Sequence, residues 1–117
     1  MHNIIVTLRV EVSNGCLADL VRVLGGKETG RGSNFSAVFD RSPSGGEAFV
    51  QLDRNAKKNI HLEYTESELS DLAIRIGGPP LTSLSLHHRS DDESWSLVQL
   101  IALRILERWG GTVELDP

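Results

Sequence analysis

Three stretches of the sequence hold residue types that could do chemistry. His87 and His88 stand shortly before Asp91 and Asp92, a grouping of imidazoles and carboxylates that suits a divalent metal. Neighbouring residues on a strand point to opposite faces, however, so the two histidines cannot grip one ion together. No HExxH or cysteine–histidine spacing accompanies them. His88 shares strand parity with Leu84 and Leu86 and is expected as a partly buried histidine near the strand end. Gly25, Gly30, Arg31 and Gly32 outline a phosphate loop. That motif needs Lys at position 31, Ser or Thr at position 32, a strand before and a helix after. Here a helix precedes and a strand follows, so a plain loop is expected. Cys16 lies near the start of the first helix, a place from which nucleophilic thiols can act, although packing is the plainer role. No Gly-x-Ser-x-Gly elbow is present. No catalytic residue, metal or cofactor is assigned.

The acidic residues are more informative. Positions 59–74 hold no Lys or Arg, yet Glu63, Glu66, Glu68 and Asp71 fall there. Asp91, Asp92 and Glu93 form a second cluster. The plain reading is solvated helix starts whose carboxylates complement the helix dipole. The functional reading is a negative face for a basic partner, which would raise association rate and specificity.

The elements that must position these groups follow from hydrophobic spacing. Residues 4–12 alternate, with Ile4, Val6, Leu8, Val10 and Val12 on one face, and predict a strand with one buried side. Leu17, Leu20, Val21 and Leu24 follow at helical spacing, and Gly25-Gly26 ends that helix. Positions 27–34 read as a loop. Phe35, Ala37 and Phe39, then Ala48, Val50 and Leu52, predict a hairpin around the turn cluster at 42–46. Ile60, Leu62 and Tyr64 predict another strand. Residues 66–76 suit either a strand or a helix. Thr65 and Glu68 have capping-box spacing, and Gly77-Gly78-Pro79-Pro80 is a helix stop, so helix is chosen. Leu81 to His88 predicts a strand. Ser90 and Glu93 again have capping-box spacing, opening a helix that runs to Trp109. Thr112 to Leu115 closes the chain as a strand.

An internal echo supports the second helix. Residues 10–26 and 62–78 agree at six positions, from Glu11 and Glu63 to Gly26 and Gly78, with Ser13 aligned to Thr65 as cap. The two segments should therefore share a conformation. The order is β-α-β-β-β-α-β-α-β. We expect one α+β domain over residues 1–117, with a mostly antiparallel sheet and helices packed mainly on one face. Leu100 and Leu103 fall within the polar arc of the last helix, either covered by another segment or part of a dimer or partner patch.

Composition excludes several classes. With 117 residues, 39% hydrophobic and 24% charged, the chain is globular rather than disordered, collagenous or coiled-coil. Its single cysteine forbids an intrachain disulfide and fits a reducing compartment. No leader pattern and no run near the ~18 apolar residues of a membrane helix is found, so a soluble cytoplasmic protein is expected. A formal charge of −4 argues against a general nucleic-acid binder.

The C-terminal third carries a resemblance. Leu81 through His88, the run Ser90-Asp91-Asp92-Glu93-Ser94-Trp95, the segment ALRILERWGG and the closing TVELDP resemble small bacterial immunity proteins. These neutralise polymorphic toxins, including those of contact-dependent growth inhibition. The resemblance implies a cytoplasmic, non-catalytic inhibitor that docks on its toxin, often with acidic surface against a basic nuclease. It transfers no binding residue. The partner surface expected from charge is Glu63, Glu66, Glu68 and Asp71, with Asp91, Asp92 and Glu93 second. The alternative is a small-molecule-binding regulatory domain or subunit, and a third reading is an enzyme using Cys16 or His87. A homo-oligomer is left open.

Overall fold

The computed structural model describes residues 2–30, 35–55 and 64–116. Strand β1 spans His2–Leu8, helix α1 Asn14–Val23, β2 Lys27–Glu28, β3 Ser36–Arg41, β4 Glu47–Asn55, α2 Glu66–Ile76, β5 Thr82–His88, α3 Asp92–Trp109 and β6 Thr112–Asp116. The element order is the expected one and the fold is α+β. The described strands join one six-stranded sheet in the order β2-β3-β4-β5-β1-β6, and every pairing among them is antiparallel.

The register gives the sheet two distinct faces. Ile4 stands opposite Leu86, which stands opposite Leu52, which stands opposite Ala37. These residues form the main core with Val6, Phe39, Val50 and Leu84, and α1 and α3 close over them with Leu17, Leu20, Val98, Ile101 and Ile105. The other helix, α2, takes the opposite face. Its Arg75 Nη2 donates to Glu114 Oε1 at 2.7 Å, and Tyr64 just ahead of it donates to Glu114 Oε2 at 3.3 Å. Glu114 is paired with Ile5, not with the core-facing parity of β1. Leu72 and Ile76 of α2 are buried there, as is Ile5, and none of the three belongs to the main cluster.

The two echoed segments do share a conformation. Ser13 and Thr65 both cap their helices through a side-chain oxygen. Gly26 N–H donates to Val21 O at 2.8 Å, and Gly78 N–H donates to the equivalent Ala73 O at 2.9 Å. Gly25 and Gly77 both take a positive φ, the left-handed turn that favours glycine. The Thr65–Glu68 capping box is present, and residues 66–76 are helical.

Three boundaries differ from expectation. The first strand ends at Leu8 rather than at residue 12. Thr82 Oγ1 donates to Val10 O at 2.7 Å and accepts from Val12 N–H at 3.2 Å, drawing that segment out of the ladder while Val12 stays buried. Lys27–Glu28, read as loop, pairs with Val38 and Ala37 as a short edge strand. Helix α3 is capped by Asp91 rather than Ser90, because the Asp91 carboxylate reaches Ser94 N–H. The strand expected over 60–64 lies outside the described residues, except for Tyr64 in a bend. Among the described residues, no helix is long and apolar enough to cross a membrane.

Candidate functional site

The sequence-expected acidic residues separate in space. Glu66, Glu68 and Asp71 sit on α2, over one face of the sheet, whereas Asp91, Asp92 and Glu93 open α3, over the other. Glu63 lies outside the described residues. Local bonding then divides each group. Glu68 completes the capping box by accepting from Thr65 N–H at 3.0 Å. Asp91 accepts from Ser94 N–H and Oγ at 3.0 and 2.9 Å and sits 3.3 Å from Arg89 Nε. Glu93 accepts from Ser44 Oγ at 2.9 Å, tying the β3–β4 turn to α3. Among the described residues, Glu66, Asp71 and Asp92 form no ion pair.

These bonds shift the titration of two carboxylates. Asp91 is lowered from its ordinary value, chiefly by the Ser94 backbone N–H, against a partial desolvation cost, with the Ser94 hydroxyl and Arg89 adding to the lowering. Glu93 is lowered by the Ser42 and Ser44 hydroxyls, against desolvation and repulsion from Asp91. A carboxylate lowered in the folded state stabilises the fold above its unfolded value, and that contribution is lost as pH falls through the folded value. We therefore expect urea midpoints of the native protein to decline from about pH 5 downward. The Asp91→Asn/Glu93→Gln variant should start lower at pH 7 and show a flatter acid limb. Parallel profiles would mean that neither carboxylate contributes.

Helix α2 presents an exposed face with a defined centre. At about 100° per residue, Ile74 points directly away from the midpoint of buried Leu72 and Ile76. It is 79% exposed. Asp71 lies about 60° to one side and about 4.5 Å along the axis, and Glu66 about 80° to the other side but about 12 Å away at the helix start, with Ser67 and Ser70 between. An apolar knob near the end of α2 thus shares its outward side with two carboxylates that precede it. Ile74 was not singled out from sequence as a surface anchor. The helical period that placed Leu72 and Ile76 inward was the signal that could have found it.

The face shared with α2 continues across β3, β4 and β5 as a polar surface. Asp53 Oδ1 accepts from Ser36 Oγ at 2.6 Å, and its Oδ2 accepts from Gln51 Nε2 at 3.0 Å and lies 3.5 Å from His87 Nε2. Asn55 Nδ2 donates to Ser83 Oγ at 3.0 Å and Ser85 Oγ at 2.9 Å. Asp53 was not singled out from sequence, yet strand parity places it with Gln51 and Asn55. The carboxylate can orient His87, but Ser36 bonds the carboxylate rather than the imidazole. This is not the order of nucleophile, base and orienting group that acyl transfer requires.

His88 points the other way. It is 3% exposed, its Nδ1 is 2.8 Å from Arg89 O, and its ring lies against His2 and Trp95. Strand alternation therefore separates it from His87, as expected. Among the described residues, no group of three His, Cys, Asp or Glu side chains converges as a metal site. Cys16 is exposed on α1, across the sheet from His87. Gly25 belongs to the α1 exit turn, while Arg31 and Gly32 lie outside the described residues. Leu103 is 49% exposed, so α3 leaves part of its apolar surface uncovered. Comparison with protein-family models, curated proteins and solved structures finds no match to this chain.

Proposed function

We propose that this protein is a non-catalytic binding protein of the toxin-immunity kind, which neutralises a cognate bacterial toxin by seating the outward face of α2 over a basic active site. The observation that carries this reading is Ile74, 79% exposed on the outward side of α2, with Asp71 about one turn before it and Glu66 farther along the same side. An apolar anchor supplies affinity when a partner pocket desolvates it, about 1.5–3 kcal/mol for a branched aliphatic side chain. These carboxylates, which form no ion pair among the described residues, supply steering and orientation toward a cationic surface. Glu68 serves the helix start and is not assigned to the contact. Asp91, Asp92 and Glu93 lie across the sheet and cannot share one flat interface with α2.

The test asks whether the reading frame immediately upstream encodes a toxin domain, and then co-expresses that domain with this chain. The native chain should abolish toxicity and co-purify with the domain. Ile74→Ala should weaken binding by about 10- to 100-fold, since the side chain carries little of the monomer's stability. Glu66→Lys/Asp71→Lys should slow association and remove its salt dependence. Full neutralisation by the Glu66→Lys/Asp71→Lys/Ile74→Lys variant would sink the α2 surface. Failure of the native chain to neutralise the domain would sink the immunity reading.

A further inference from the structure

A second site lies at the hairpin end of the sheet, away from the outward face of α2. The β3–β4 ladder shifts register between Phe39 and Arg41, where Phe39 pairs with Val50 and Arg41 with Glu47. Two steps on β3 thus face three on β4, which is the count of a β-bulge. Bulges re-aim side chains and recur beside binding sites. Here the irregularity opens a pocket of about 460 Å³, within the range of small-molecule sites. Its walls include Asp40, Arg41, Glu47, Phe49 and Arg89.

The charge pattern of those walls is unusual. Two cations and two anions border one pocket, yet Asp40, Arg41 and Glu47 form no ion pair with any described residue. Arg41 and Glu47 stand opposite each other in the ladder and still do not pair. Arg89 is held at 3.3 Å from Asp91. The frame is fixed from behind. Ser42 N–H donates to Gly46 O and Gly45 N–H to Ser42 O, both at 2.9 Å. Ser44 bonds Glu93 of α3, and Phe49 N–H donates to Ser94 Oγ at 2.9 Å. Gly45 has nothing within 4 Å of where its Cβ would stand, so the turn leaves space beside the pocket.

We propose that this pocket binds a small zwitterion, a free α-amino acid with an apolar side chain. The Arg41 guanidinium takes the carboxylate through parallel N–H donors. Glu47, opposite Arg41 in the ladder, takes the ammonium. The half-buried Phe49 ring packs against the apolar side chain. A simple anion would use only the cations and a simple cation only the carboxylates, whereas a zwitterion satisfies both signs at once. This site shares no residue with the α2 contact, so either can fail without the other.

The experiment is calorimetric titration of the intact protein with L-leucine, L-phenylalanine, N-acetyl-L-leucine, L-leucinamide and inorganic phosphate. The free amino acids should bind. Acetylation or amidation should each weaken binding at least about tenfold. Arg41→Gln and Glu47→Gln should do the same while leaving the thermal midpoint unchanged. Absence of binding at about 10 mM amino acid, equal binding of the blocked derivatives, binding of phosphate alone, or full retention of binding in both variants would each overturn the proposal.

Discussion

Gly111→Ala should cost about 3 kcal/mol or more. Gly111 carries a φ of 138°, and a Cβ there would stand 2.2 Å from Thr7 O and 2.8 Å from Leu8 Cδ2. The obstacle is backbone, which cannot swing aside as a flexible side chain can. Thr112 pairs with Thr7 immediately afterward, so relief of the clash means peeling β6 from β1. That movement would also displace Glu114, the residue that Arg75 and Tyr64 bind, and loosen α2. Gly110→Ala is the control. Gly110 has a φ of 73° and a ψ of 170°, a backbone region nearly reserved to glycine, but nothing within 4 Å of its Cβ position, so only backbone strain of about 1–3 kcal/mol applies. Urea unfolding of the two variants measures the difference. Equal losses would show that β6 moves without resistance.

Phe39→Ala should be comparably damaging, at about 3–5 kcal/mol. The ring is 2% exposed in the main core and lies over Gly26, whose Cβ position is 2.5 Å from Phe39 Cε1. Gly26 therefore lets the exit of α1 sit directly on β3. The pair should be non-additive. Gly26→Ala should destabilise the native protein by overpacking, and should cost much less once Phe39 is alanine. A double-mutant cycle by chemical denaturation checks both claims. A loss below about 1 kcal/mol in Phe39→Ala, or strict additivity, would mean that the ring is not wedged against the helix exit.

The helix starts and stops were legible because each is a local event. Thr65 and Glu68 bond each other's backbone across three residues, and Gly77 turns the chain within the same turn of helix. The same locality explains why the echo between residues 10–26 and 62–78 correctly predicted matching exit bonds. It did not predict that the two helices would lie on opposite faces of the sheet, since nothing within either segment encodes its neighbour. The hairpin and the strand at 82–88 were equally readable, with Leu84 and Leu86 fully buried on the expected parity.

The candidate site was legible only in part. Clustering in sequence suggested one or two negative surfaces. Asp91 and Glu93 are instead held by Ser94 and Ser44, and Glu68 is held by Thr65. Carboxylates near helix starts are the ones that backbone N–H groups and hydroxyls can reach, so the same placement that draws notice in a sequence also engages them locally. Glu66 and Asp71 escape that fate on the outward side of α2.

By itself the sequence determined the α+β class, the capped helices and the two strand parities, because each depends on residues within one turn or one alternation. Tertiary structure alone decided the strand order, the early end of β1, the side taken by α2 and the bulge beside Arg41. Those features rest on partners far apart along the chain, such as Thr82 with Val12 and Arg75 with Glu114. Local periodicity states which side of an element is apolar, and only packing states what that side meets.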